Sequence, residues 1–149
     1  VSGYARPHLV GQKEPYGCVT ACIAMVRGCS YDEVAAELGP PGRGFSHDVW
    51  QGYLNHYGFA SQLVYRHDRI AGLDRSPWPI APWANLHMCS VDAGHGMGSH
   101  LVLVLHDGTV LDPARNAPAR MEDYGGYAYM AAVFPVGCAP IVAHRAAAA

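Results

Sequence analysis

From Cys18 to Gly28 the chain reads CVTACIAMVRG, small and apolar residues recurring at helical spacing. That period predicts a largely buried helix, opened by the turn signal Pro15-Tyr16-Gly17 and closed at Gly28, with Cys18 in its first turn. In SYDEVAAELG, Ser30 is placed to cap a second short helix, Glu33 completes the cap, and Gly39-Pro40-Pro41 stops it. A third helix is predicted from about Ser46, carrying Val49, Trp50, Tyr53, Leu54 and Tyr57 on one broad face, with Gly58 closing it.

After Gly58 the pattern changes from helical to extended. FASQLVYR and WPIAPWANLHM are candidate strands, and HLVLVLH is the clearest, because apolar side chains occupy both of its faces. A last pair is predicted through YMAAVFPV and APIVAH. No repeat or low-complexity linker divides the two halves, so the expected architecture is α+β, with the helices packed on one antiparallel sheet.

The turn after LVLVL decides which side chains share a face. A three-residue loop, His106-Asp107-Gly108, with glycine in the left-handed conformation, pairs Leu105 with Thr109 and sets Val102 opposite Asp112. His100, Val102 and Asp112 then lie on one sheet face, with His100 and Asp112 diagonal neighbours. A two-residue turn would send His100 and Asp112 to opposite faces. For the site proposed below, that shared face must also look toward the helix that carries Cys18.

Composition narrows the class. With 149 residues and 50% hydrophobic content, the chain is long enough for one domain with a real core. That domain is expected over residues 1–145, with 146–149 as an unpacked alanine tail. A formal charge of -2 gives no field that would attract nucleic acid or anionic lipid. Neither a signal-peptide pattern nor an apolar run of membrane-spanning length stands out. Five cysteines, an odd set without a dense framework, suit a reducing compartment. The expected location is cytoplasmic, with export or delivery as an effector left open.

The candidate chemistry centres on Cys18. A thiol at a helix start meets free backbone N–H groups and the positive end of the helix, both of which favour thiolate. Cys22, Cys29 and Cys138 are read as buried structural cysteines. His100 opens an apolar strand and Asp112 closes the next one before Pro113, positions where each polar group requires a partner and can find it in the other. Gln12 can set its side-chain NH2 beside the Cys18 N–H, so that both meet charge developing on a carbonyl oxygen. Each alone has an ordinary alternative: a core thiol, a hairpin-end residue, a turn aspartate or a surface glutamine. Together, in this order, they form a set suited to nucleophilic catalysis.

On Gln12, Cys18, His100 and the Asp112-Pro113 step, the chain resembles the papain-like cysteine peptidase superfamily, and most of all the bacterial C39 peptidase and C39-like domains. The similarity extends from Gly11 to about Phe134 and includes LDPARNAPARMEDY. It implies a papain-like fold, an N-terminal helical lobe against a C-terminal antiparallel sheet. It also implies Cys18 as nucleophile, His100 as base and acid, Asp112 as the group orienting it, and Gln12 as oxyanion donor. The chain departs from the family in Gly17 and Val19, where an acidic residue and a glycine often flank the cysteine, and in a shorter histidine-to-aspartate hairpin. The best-known C39 domains are attached to transporters and cut leader peptides after a double glycine.

The expected activity is cleavage of a peptide or amide bond in a peptide or protein substrate, without cofactor. Acyl transfer through the same thioester and a catalytically silent peptide-binding module are the alternatives. Gly17, His95, Gly98 and Ser99 are the expected substrate contacts. His87, Cys89, Asp92, His95 and His100 match no closed zinc module, so no metal site is assigned, and NLHMCSVDAGHGMGSH reads instead as a glycine-rich loop leading to the base. Tyr65, Trp78 and Trp83 are read as core aromatics, and Arg115 and Arg120 as solvent-exposed. Oligomeric state is not legible.

Overall fold

The computed structural model describes residues 5–66, 84–92 and 99–136. Three helices precede the sheet. In α1 (Cys18–Arg27), Ala21, Cys22, Ile23, Ala24 and Val26 have no exposed surface. The helix ends where Gly28 turns left-handed at φ 69 and donates its N–H to the Ala24 carbonyl. In α2 (Tyr31–Leu38) the expected capping box is present: Ser30 Oγ accepts from the Glu33 N–H at 3.2 Å, and Glu33 Oε2 accepts from the Ser30 N–H at 2.8 Å. In α3 (His47–His56) the buried face is narrower than its sequence suggests. Trp50 and Leu54 are buried, whereas Val49 is 40% exposed. Tyr53 and Tyr57 are half-buried because their hydroxyls reach out to Glu37 Oε2 on α2.

The strands are β1 (Phe59–Arg66), β2 (Leu86–Asp92), β3 (Ser99–Leu105), β4 (Thr109–Leu111), β5 (Ala119–Arg120) and β6 (Tyr127–Pro135). They form one antiparallel sheet in the order β1-β6-β2-β3-β4-β5. Two expectations are corrected. CSVD continues β2 instead of opening a loop, since this segment is paired on both sides, with β3 and β6. The last strand begins at Tyr127 and lies between β1 and β2; its expected partner APIVAH lies outside the described residues, as does the 146–149 tail.

Side-chain alternation divides the sheet into two faces. Leu86, Met88, Leu101, Leu103 and Leu111 join the helices in the main core. Cys89, Val91, Val102, Val104 and Val110 face the other way, into a second core closed by Ala119, Met121 and Tyr124. Among the described residues no helix is long and apolar enough to cross a membrane.

The β3–β4 turn has the expected three-residue form. Leu103 pairs with Leu111 and Val104 with Val110, and Gly108, at φ 83, donates its N–H to the Leu105 carbonyl at 2.9 Å. Asp107 Oδ1 braces the turn by accepting from the Thr109 N–H at 3.0 Å. Gly108→Val places a β-branched residue at a positive φ and is expected to lower unfolding free energy by roughly 1–2 kcal/mol, read by urea denaturation. Unchanged stability would mean that the turn does not require glycine.

Candidate active site

The site forms where this hairpin opens. Leu103↔Leu111 is the last ladder pair toward the end of β4. Two residues further the same register would oppose Leu101 by Pro113, which has no N–H to offer. The Pro113 carbonyl instead accepts the Gln12 N–H at 2.9 Å, which ties the segment before α1 to the end of β4. The first turn of α1 fits against Leu101 in the resulting gap: Cys22 Sγ donates to the Leu101 carbonyl at 3.5 Å, and backbone hydrogen bonds from Leu101 and Val19 reach the Cys18 sulfur.

His100 and Asp112 share a sheet face, as the register requires, and His100 Nε2 lies 2.6 Å from Asp112 Oδ1. Their face is the one turned away from the helices, the side of Val102 and Val110, so the expectation that it looks toward α1 is corrected. Cys18 nevertheless reaches His100, with which it shares a hydrogen bond and one cleft.

Asp112 is 3% exposed and well supplied with donors. Oδ1 also accepts from the Ala114 N–H at 2.8 Å, and Oδ2 accepts from the Tyr124 hydroxyl at 2.6 Å. Burial alone would raise its carboxyl, but hydrogen bonds from His100, Tyr124 and Ala114 outweigh burial and hold it below the usual carboxylate value. Burial likewise opposes charge on His100, yet Asp112 and Cys18 overcome it and raise the imidazole to about 9. For Cys18 the opposition of burial is overcome by His100 and by the Leu101 and Val19 backbone, leaving the thiol below its ordinary value. With Nε2 turned to Asp112, Nδ1 is the ring nitrogen left for the thiol. The arrangement favours a thiolate beside an imidazolium.

Gln12 is half-buried beside this group, but its amide is turned to the backbone. Nε2 donates to the Glu14 carbonyl at 3.0 Å and the Pro15 carbonyl at 3.1 Å, while Oε1 is buried without a partner. Gly17, expected to touch substrate, is buried and absent from the cleft wall. A Cβ there would lie 2.2 Å from the Tyr31 hydroxyl, which donates to Glu14 Oε2 at 2.6 Å. Tyr31 is thus the local reason for glycine before the cysteine. His95, Gly98, Trp78, Trp83 and Cys138 lie outside the described residues, as do the side chains of Tyr65 and Ser99, although Ser99 opens β3.

Cys22 and Cys89 are buried as structural thiols; Cys29 is half-buried, since it follows the αL residue that ends α1. Burial drives the Cys22 thiol well above its ordinary value, with the charges of Cys18 and Asp112 adding to that effect. No group of three metal-ligating side chains is assembled among the described residues.

The cleft over Cys18 has a volume of about 800 Å3 and is walled by Tyr16, Val19 and the Arg43–Ser46 loop on the helical side, and by Ser90, Tyr124 and Tyr129 on the sheet side. Tyr124, which meets Asp112, was missed in the sequence reading, and Arg115 was read there as solvent-exposed. Arg115 is not simply solvated: Nε lies 3.4 Å from Asp112 Oδ2, although its side chain is 43% exposed. Arg120, at 86%, is exposed as expected. Tyr124 ends the LDPARNAPARMEDY stretch, but its contact with Asp112 is made only after the chain has passed through β5 and a 3-10 turn, Met121–Asp123.

Gly17→Ala is expected to lower thermal stability and slow Cys18 alkylation, because the new methyl displaces Tyr31 or the start of α1. Adding Tyr31→Phe removes the atom at 2.2 Å and should restore part of both losses. A double variant no better than Gly17→Ala alone would contradict this account.

No family model matches the chain, and no curated protein does. Among the solved structures that share its fold are two peptidase domains. One is a double glycine motif protease from an AMS/PCAT transporter in complex with the leader peptide, with TM-score 0.61 and 16% identity over 91% of this chain and 96% of that one. The other is the peptidase domain of Streptococcus ComA, a bi-functional ABC transporter involved in quorum sensing, with TM-score 0.59 and 14% identity over 89% of this chain and 98% of that one. The α+β fold of the chain is therefore the fold of these two peptidase domains.

Proposed function

We propose that the protein is a cysteine peptidase that cleaves a peptide through Cys18, His100 and Asp112, with the Cys18 N–H and Gln12 stabilising the oxyanion. The observation that carries this reading is the unbroken line from the Cys18 thiol through His100 to Asp112, set at the start of a buried helix and open to a cleft. The leader peptide bound to the AMS/PCAT protease, which has the same fold, favours a peptide as the ligand.

In the reaction, the Cys18 thiolate attacks the scissile carbonyl carbon and the carbonyl π pair moves onto oxygen. That oxygen meets the Cys18 N–H, one of the first four of α1 and therefore without a partner within the helix. As the tetrahedral adduct collapses, the C–N bond breaks and His100 Nδ1–H gives its proton to the departing amine. A thioester to Cys18 and a neutral imidazole remain. Water then attacks the thioester while His100 takes its proton. The carboxylic acid product leaves, and the thiolate and imidazolium are restored. Asp112 stays charged throughout and keeps the ring oriented.

Gln12 must release Glu14 or Pro15 to contribute a donor. Its resting orientation leaves Oε1 buried and unsatisfied, which lowers the cost of that rotation. His95, Gly98 and Ser99, immediately ahead of His100 in the chain, are assigned to substrate contacts.

An electrophilic peptide probe should label Cys18 selectively, and Cys18→Ala should abolish both labelling and peptide cleavage. Equal labelling of all cysteines would sink the enzyme reading. Products that gain an added amine instead of water would identify acyl transfer, and selective labelling without turnover would identify a peptide-binding module.

Gln12→Ala should lower kcat roughly a hundredfold with little change in KM. A change in KM alone would assign Gln12 to the cleft wall.

The pH dependence of kcat/KM has a definite sign. His100 is raised from its ordinary 6.5 to about 9, so the imidazolium persists until pH approaches 9 and activity falls above it. Cys18 is lowered from 9.0, so the acid limb lies below the ordinary thiol value. By linkage, the His100 contribution to stability is complete below pH 6.5 and is lost as pH rises through about 9. An alkaline limb near 6.5 would contradict the assignment.

A further inference from the structure

Asp112 is held on both oxygens, and only one of them serves His100. Oδ1 takes His100 Nε2 and the Ala114 N–H. Oδ2, on the far side, takes the Tyr124 hydroxyl at 2.6 Å and faces Arg115 Nε at 3.4 Å. These two groups are themselves joined: the Arg115 guanidinium sits 4.9 Å from the Tyr124 ring centroid, and its NH1 lies 3.7 Å from Asp123 Oδ2. Asp123 in turn accepts the Arg120 N–H at 2.9 Å, which fixes the 3-10 turn that presents Tyr124.

We propose that Tyr124, supported by Arg115, clamps the far oxygen of Asp112 and so sets the direction and strength with which Asp112 holds His100. Tyr124 is thus a positioning residue for the Cys18 thiolate. The inference rests on the Cys18–His100–Asp112 assignment and adds a fourth member to it.

Three physical effects support the role. A carboxylate that is 3% exposed has almost no water to stabilise its charge, so donors on Oδ2 must do so. A carboxylate bonded through one oxygen alone can also swing about its Cβ–Cγ bond, and a second anchor across the group prevents this. Finally, burial and the Asp112 charge both push the Tyr124 hydroxyl above its ordinary value, so it remains a donor throughout the working pH range. Among the described residues the titratable and charged groups around Asp112 are His100 from β3, Cys18 and Cys22 from α1, Arg115 just past β4, and Asp123 and Tyr124 before β6. Of these, Tyr124 can be altered by one oxygen without changing charge or ring packing.

The test follows the rate of Cys18 alkylation by iodoacetamide against pH, read by peptide mass analysis, in wild type and Tyr124→Phe. It is accompanied by thermal melting and by kcat and KM on a peptide substrate. In Tyr124→Phe, Asp112 loses a donor and takes up a proton at higher pH, and His100 then loses its anchor. The acid limb of alkylation should therefore move upward by about one pH unit. kcat should fall about tenfold or more with KM within about twofold, while the melting temperature changes by only a few degrees. An alkylation profile and kcat like those of wild type would overturn the proposal, whatever the melting temperature. Should Tyr124→Phe fail to fold, Arg115→Gln must move the limb in the same direction by a smaller amount, and no shift overturns the clamp. Alkylation requires no substrate, so the two readings can fail separately. A Tyr124-dependent limb without peptide cleavage upholds the clamp and removes the peptidase, and cleavage with an immobile limb does the reverse.

Discussion

The site depends on the register of one short hairpin. Gly108 closes the three-residue turn at a positive φ, and from that turn the pairing places His100 and Asp112 on the same face. One residue fewer in the loop would invert every side chain of β4 relative to β3 and separate the two. The same register brings Pro113 to the point where the ladder must end. Its missing N–H leaves Leu101 available to the first turn of α1, while its carbonyl holds Gln12. A single pairing pattern therefore aligns His100 with Asp112, opens a place for Cys18 and anchors the segment before it.

Within that frame, environment divides identical side chains into different chemistries. Cys18 and Cys22 are one helical turn apart. Cys22 is fully buried, donates its proton to a carbonyl and has anionic neighbours, so burial and charge both keep it a thiol. Cys18 is also desolvated, but it faces His100 and backbone donors at the positive end of the helix, and these outweigh the burial. A buried charge is tolerated only as part of a satisfied network, and the line from Cys18 through His100 to Asp112 meets that condition at each step. Asp112 needs donors beyond His100 because the sheet and the second core exclude water from it.

Much of this was legible in the sequence because it rests on local rules. The α1 period, the Ser30–Glu33 box, Gly28 and Gly108 each require only their neighbours, and the hairpin count follows from the turn. What was not legible depends on long-range packing. Alternation along β3 indicated that His100 and Asp112 share a face; which face meets the helices is set by where Leu101 and Leu103 find their core. The extension of β2 through CSVD depends on two flanking strands that no local window contains. Val49 fits the apolar face of α3 by period, yet neighbouring elements leave it uncovered. Tyr31 over Gly17 and Tyr124 on Asp112 are contacts that local periodicity does not reveal.

The central claim is that His100 carries a proton between a thiolate and a carboxylate. NMR titration of the His100 imidazole in the resting protein tests it most directly, because it requires neither substrate nor turnover. The account predicts a midpoint of about 9 that falls in Asp112→Asn. A midpoint at or below 6.5, the ordinary histidine value, would contradict it, as would one indifferent to Asp112.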